Sequence, residues 1–252
     1  MAACSGDNLL MNQARYIPAY APLEHLRVAK PVDRIGYIRS QCQGQRVLDL
    51  GAMDETAYQA KQGNGTWLHE EIAAVAARVV GIDSSSLVPD GGLRTAGNAV
   101  IFRADIAQLD AWLRLNDFQP DIVVAGELIE HLENPLAFLR QINSIDALRG
   151  RTMILTTPNA SAAHNGLISL LSRESTHHDH LAIFSFKTLS TLCVRAGFQD
   201  WSIRPYFSRF TEMKLRNRGI RRAIVAGGER AINVLEWLFP LTGFGFVVRV
   251  TI

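Results

Sequence analysis

Five short apolar runs, Arg46–Leu50, Val79–Ile82, Ala99–Arg103, Asp121–Ala125 and Thr152–Thr156, each end beside polar groups that could hold a ligand. In chain order those groups are Asp49 with Gly51, Asp83, Asp105, Glu127, and Pro158–Asn159. Acids cap helices and turns for structural reasons alone, so a single one says little. Carboxylates at four of the five successive run ends say more. One after the second strand can accept bonds from both hydroxyls of a ribose. A dinucleotide would also need GxGxxG glycines to cradle its pyrophosphate, and Gly51 is followed instead by Ala52, Met53, Asp54 and Glu55. Gly63 and Gly65 come only well beyond. The ligand expected is therefore a nucleoside without phosphates.

The runs suit parallel strands buried on both faces, where apolar residues do not alternate with polar ones. Helical spacing fills the gaps. Trp67–Arg78 puts Leu68, Ile72, Val75 and Ala76 on one face, with Thr66 as expected N-cap and Glu70 and Glu71 in the first turns. Asn134 and Pro135 read as N-cap and N1 of a helix through about Ile145. A further helix is expected over Phe186–Ala196, closed by Gly197, and another over Val32–Gln41. Strands alternating with helices make crossover units, hence an α/β fold with a mostly parallel central sheet covered on both faces. After Phe198 come two strand-like runs, Trp201–Tyr206 and Phe244–Ile252, around a basic helical stretch. The domain reading is an N-terminal lid and helical segment over 1–45, then one domain over 46–252 with a helical insertion at about 207–240.

Composition excludes several classes. The 252 residues are 48% hydrophobic and 20% charged, with a net charge of +2 that gives no footprint for nucleic acid. Cys4, Cys42 and Cys193 are isolated, which argues against a disulfide framework or a zinc knuckle. The first residues lack a basic start followed by an apolar core, and no run approaches the ~18 apolar residues that span a bilayer. The expected location is cytoplasmic.

The segments RVLDLGA (46–52), VVGIDSS (79–85), FRADI (102–106), DIVVAGELIEHLENPLAFL (121–139), LTTPN (155–159) and HLAIFSFKTLSTLCVRAGF (180–198) together resemble class I S-adenosylmethionine-dependent methyltransferases. The likeness is to the broad group containing small-molecule and sugar O-methyltransferases. It implies a Rossmann-like sheet ending in an antiparallel strand pair, with S-adenosyl-L-methionine as cofactor. It also implies roles: Asp49, Gly51 and Ala52 at the methionine portion, Asp83 on the ribose hydroxyls and Ser84 against the adenosine. Asp105 would accept from the adenine amino group, Ile106 would pack on the ring, and Glu127 would lie beneath the sulfonium.

Methyl transfer to a hydroxyl is an in-line displacement that needs alignment and a base. Histidine is the usual base near neutral pH, and the candidates are His180, His131 and, on the displaced segment, His69. His131 has the alternative role of bonding backbone in the EHL turn. The run His177, His178, Asp179, His180 raises a metal reading, but adjacent side chains point in different directions, so no metal is expected. Arg15, Tyr16 and Tyr20 are candidates either for a lid over the acceptor or for simple packing on the surface. The basic run KLRNRGIRR (214–222) with the apolar residues after it offers a membrane-surface helix beside anionic lipid as one reading. Cover for the acceptor pocket or a homodimer face is the expectation, and membrane association is not expected. The expected partner is a small-molecule substrate, sugar-containing compounds included, and no nucleic acid. An amine or phenolic acceptor, and a methyltransferase fold that binds without catalysis, stand as alternatives. The segment from Met53 to Gly65 reads as an insertion between first strand and first helix that closes over the methionine end.

Overall fold

The computed structural model describes residues 24–54, 58–62 and 65–252. Arg15, Tyr16 and Tyr20 lie outside the described residues. The strands are β1 (Arg46–Leu50), β2 (Arg78–Asp83), β3 (Leu93–Ala96), β4 (Ala99–Arg103), β5 (Ile122–Gly126), β6 (Thr152–Pro158), β7 (Asp200–Tyr206) and β8 (Gly245–Thr251). They form one sheet in the order β3-β4-β2-β1-β5-β6-β8-β7. Strands β4, β2, β1, β5 and β6 run parallel; β3 is antiparallel to β4 at one edge, and β8 is antiparallel to both β6 and β7 at the other. The chain goes outward from β1 to β2 and β4, then returns to the far side of β1 with β5. That reversal opens a crevice at the carboxyl ends of β1 and β5.

The helices are α1 (Arg34–Cys42), α2 (Tyr58–Lys61), α3 (Leu68–Ala73), α4 (Leu109–Asn116), α5 (Pro135–Ser144), α6 (Ala163–Ser169), α7 (Phe186–Ala196), α8 (Thr211–Arg216) and α9 (Gly219–Leu238). Local chemistry sets the ends that matter. Asn134 Oδ1 accepts from Ala137 N at 2.9 Å and Pro135 occupies the first turn, so α5 starts where the dipeptide predicts. Ser185 and Thr188 form a reciprocal capping box on α7, which closes on Gly197 at φ 91°.

Strand alternation sorts the core into two layers. On one face Leu48, Leu50, Val80, Ile82 and Val123 pack with α4, α5 and α7. On the other, Val47, Val79, Val124 and Ile154 pack with Ile38 and Cys42 of α1 and Ile72 of α3. Asp49 shares the parity of Val47, so its carboxylate is directed to the α3 side.

Two elements differ from expectation. Helix α3 is shorter than the Trp67–Arg78 pattern, and Trp67 rather than Thr66 sits at its cap, without a side-chain bond. The Trp67 ring is buried and its indole N–H donates to Ala52 O at 3.0 Å, which fixes the start. Asn98 Nδ2 donates to the carbonyls of Ala73 and Ala76, both at 2.9 Å, which satisfies the helix end. Strand β3 has no counterpart among the expected runs, because its four residues are an edge strand without a buried apolar stripe.

At the amino end of the sheet, Asp121 accepts from Arg46 N, Nε and Nη2 at 2.8–3.0 Å and lies 3.6 Å from Arg151. Arg46 chiefly, with Arg151, holds this carboxyl at about 2. A carboxyl depressed in the folded state stabilises above its unfolded value and loses that contribution as pH falls through the folded one. Asp121→Asn is expected to lower the melting temperature slightly at pH 7, with the difference from the parent vanishing as pH approaches about 2 in a thermal-melt series.

Candidate active site

A cavity of about 700 Å³ occupies the crevice where strand order reverses. Asp49, Gly51, Ala52, Asp83, Ser84, Glu127, His131 and His180 all line it. Asp105 and Ile106 do not. Asp105 caps the short 3₁₀ turn Ile106–Gln108, accepting from Ala107 N at 2.8 Å, and Ile106 is partly buried against the core.

At the β1 end the chain turns sharply. Gly51 has φ 70°, and a Cβ there would come within 3.0 Å of Leu128 Cδ1. The turn therefore needs glycine twice over, for its left-handed backbone and for the close approach of the β5 loop. Asp83 Oδ2 accepts from Met53 N at 2.8 Å and Oδ1 from Ser85 N at 2.9 Å. This carboxylate ties the β2 end to the first residue of the displaced segment. The described part of that segment does return to the crevice: Met53, Asp54 and Lys61 line it, Lys61 is ion-paired with Asp54, and Trp67 and His69 at the start of α3 line it beside them.

His69 is not a free base. Its Nδ1 lies 2.8 Å from Asp49 Oδ2 and its Nε2 lies 2.9 Å from Thr95 Oγ1, with the side chain fully buried. Both ring nitrogens are engaged, and the ring acts as a bridge from β1 across α3 to β3.

The opposite wall comes from the GELIEHL loop after β5. Glu127 has φ 54°, a left-handed conformation unusual for a non-glycine residue. Its N–H donates to Thr156 O at 3.0 Å, and its Oε1 accepts from the Tyr206 hydroxyl at 3.0 Å. Arg34 Nε lies 3.6 Å from the same oxygen while donating to Thr156 Oγ1 at 3.0 Å. The strain at Glu127 is thus held by groups from α1, β6 and β7. Burial, followed by the charge of Glu127, raises the Tyr206 phenol well above its ordinary value, so it donates as a neutral hydroxyl.

Glu130, in the turn that follows, is fully buried, and neither carboxylate oxygen has a hydrogen-bond partner of good geometry among the described residues. The nearby Thr157 hydroxyl lowers its pKa somewhat without completing a well-shaped bond. Burial, with the charge of Glu127 second, pushes the Glu130 carboxyl up to about 9. Its backbone does something separate, since Glu130 O accepts from Leu181 N at 2.8 Å and Ala182 N at 3.2 Å. That clamp brings His180 against His131, with ring centroids 4.6 Å apart and planes at 86°. Ligand atoms of Glu130, His131 and His180 all lie within 4.8 Å of one another, and His180 Nδ1 is buried without a partner.

Two carboxyl groups and two imidazoles converging on one wall are costly to ionise unless something positive joins them. Carboxylate and imidazole are a donor set for a divalent cation such as manganese or zinc. The cluster is thus not the HHDH run read from sequence. His177, His178 and Asp179 form a separate, exposed group, and of the run only His180 joins Glu130 and His131. Sequence reading also passed over Arg34, Tyr206 and Glu130. For Glu130 the available signal was a second acid three residues after Glu127 in a loop leaving a buried strand.

The class defined by this sheet and crevice is the Rossmann-like methyltransferase fold. Residues 23–203 match the family described as methyltransferase domain, and the chain belongs to it, with S-adenosyl-L-methionine the expected cofactor. Among solved structures, a small RNA methyltransferase aligns at TM-score 0.52 and 15% identity over 92% of this chain, which spans 27% of that protein. A possible histamine N-methyltransferase from Thermotoga maritima aligns at TM-score 0.51 and 12% identity, covering 86% of each chain. A methyltransferase from Archaeoglobus fulgidus aligns at TM-score 0.48 and 15% identity over 86% of this chain and 94% of that one. These likenesses concern the fold. A search of curated proteins returns no significant match.

The wall depends on one glycine beside the loop that carries these acids. A Cβ on Gly126 would lie 2.3 Å from Leu68 Cδ2 and 3.1 Å from Arg34 Nη2. Gly126→Ala is expected to destabilise the protein by about 1–3 kcal/mol through overpacking, seen as a lower urea midpoint. An unchanged midpoint would mean that α3 and Arg34 are not closed on the strand end.

Proposed function

We propose that the protein transfers the methyl group of S-adenosyl-L-methionine to a hydroxyl of a small metabolite, sugar-containing compounds foremost. A divalent cation held by Glu130, His131 and His180 serves the acceptor end. The observation that carries this reading is the Glu130 carboxylate, buried, without a partner, and beside two imidazoles. When bound, such an ion acts as a Lewis acid that makes an acceptor hydroxyl easier to deprotonate.

The chain's own residues do the rest. Asp83 and Ser84 receive the ribose, Gly51 and Ala52 give the methionine portion a close backbone wall, and Asp49 is held in place by His69. An adenine continuing past Asp83 along the strand ends would reach Asp105 and Ile106. Arg34 offers a guanidinium to the cofactor's carboxylate, and Glu127 offers its charge to the ammonium and sulfonium. In the transfer, the acceptor oxygen attacks the methyl carbon as the carbon–sulfur bond breaks. Sulfur leaves with the bonding pair and becomes neutral, and the hydroxyl proton passes to water in the open crevice. Glu130, His131 and His180 would hold such an ion, and neighbouring hydroxyls, as on a sugar or a catechol, are oxygen groups it would favour as acceptors.

A second reading keeps the reaction and makes the histidine pair the base without an ion. Burial first, then the charge of His131, lowers the His180 pKa, which keeps an imidazole neutral and able to take a proton at pH 7.

Turnover on a panel of sugar, nucleoside and catechol acceptors, followed by a mass gain of one methyl group, separates the two. On the cation reading, a chelator abolishes turnover, and manganese or zinc restores it. Glu130→Gln then lowers turnover about 10²-fold or more with cofactor affinity unchanged. Turnover indifferent to chelator but lost in His180→Ala selects the histidine base; indifference to both rejects both. Separately, Asp83→Ala is expected to weaken cofactor binding by about 1–3 kcal/mol in calorimetry. Unaltered affinity would remove Asp83 from the ribose site.

A further inference from the structure

Helix α9 is turned inside out relative to its chemistry. Along its 20 residues the buried positions are Glu229 and Glu236. Glu236 is fully buried and accepts from Ser208 N at 3.0 Å and Ser208 Oγ at 2.6 Å. Glu229 accepts from Phe210 N at 2.6 Å and Lys214 Nζ at 2.9 Å. The helix is therefore attached to the domain by its acids. At 3.6 residues per turn the opposite face carries Ile220, Ile224, Val234 and Leu238 in one stripe, and these are 78%, 67%, 59% and 53% exposed. Trp237 and Phe239 are exposed at its C-terminal end, and Leu170 and Leu171 are exposed just beyond α6, which packs on α9. Exposed Arg221 and Arg230 flank this stripe on either side, and exposed Arg218 and Arg222 stand at the start of the helix. Both acids of α9 point inward, so the exposed charged groups of the helix are all cationic.

We propose that this face docks on an anionic lipid bilayer surface. An apolar stripe flanked by arginine is what lies in a headgroup layer, with the stripe toward the acyl chains and the guanidinium groups on the phosphates. No helix among the described residues is long and apolar enough to cross a membrane, so the contact is one of lying on the surface. A second copy of the chain fits less well. Two-fold packing of α9 on itself would bring together two surfaces that both carry exposed arginine and no exposed acid. Lys30 reinforces the end of the face: its ammonium donates to Trp237 O at 2.6 Å and lies 4.0 Å over the indole, fixing an aromatic group where a headgroup layer would meet it.

The test is co-sedimentation of the full-length protein with vesicles of phosphatidylcholine alone and with added phosphatidylglycerol, at low and high salt. The expected result is pelleting with the anionic vesicles, weakened by salt. Arg221→Gln with Arg222→Gln should lower partitioning about tenfold or more, and Ile224→Asp with Val234→Asp should abolish it. Because all four side chains are exposed, melting temperatures should stay at the parent value, which separates lost docking from lost folding. The proposal is overturned if the parent does not pellet with anionic vesicles at low salt, or if neither double variant changes pelleting. It is equally overturned if the parent is a dimer by sedimentation that Ile224→Asp with Val234→Asp converts to monomer, since a second copy then covers the face.

Discussion

Two carboxylates, Glu127 and Glu130, leave the carboxyl end of β5 within one turn of each other, and one of them is fully buried. Their mutual repulsion and desolvation set what the surrounding chain must provide. Glu127 is met by Tyr206 and Arg34, brought from opposite ends of the sequence. Glu130 makes no side-chain hydrogen bond of good geometry among the described residues, and it stands beside a histidine pair. The imbalance between these two acids is what the proposed cation at Glu130, His131 and His180 would offset.

The rest of the architecture places that wall opposite the cofactor turn. Strands β1 and β5 pair in parallel register from Val47 with Ile122 to Leu50 with Ala125, so their loops open on the same crevice. Val32 bridges to Tyr206 just before α1 begins, which seats Arg34 over the β5 end. The antiparallel β7–β8 pair is needed for the same reason, since Tyr206 closes β7 and its hydroxyl must reach back to β5. The backbone of Glu130 holds residues 181 and 182, so the carboxylate and the histidine that face each other are fixed by one short turn.

Much of this was legible in sequence, for identifiable reasons. Parallel strands buried on both faces give unbroken apolar runs, so β1, β2, β4, β5 and β6 stood out within a residue or so. Helices α5 and α7 carried their own caps in Asn134–Pro135, Ser185 and Gly197. The carboxylates at the ends of β1, β2 and β5 followed from the strand ends, and they meet in one crevice. Legibility ended where an interaction is long-range. The pairing of His69 with Asp49 and Thr95 turned a candidate base into a brace. Arg34 and Tyr206 belong to the site only through sheet topology. Glu130 looked like a polar position in a turn, because burial without a partner cannot be read from neighbours in the chain. Of the HHDH run only His180 lies beside Glu130 and His131, since spacing along a loop does not give direction in space. In α9 an apolar stripe was visible, but which face it would present was decided by Glu229 and Glu236 bonding inward.

The most direct measurement of the acceptor-end chemistry is a crystal of the protein soaked with S-adenosylhomocysteine and manganese, with anomalous data at the manganese edge. The account predicts the thioether of the product in the crevice between Gly51 and Glu127, and a single strong anomalous peak at bonding distance from Glu130, His131 and His180. Product bound in the crevice with no peak at those three residues would contradict it.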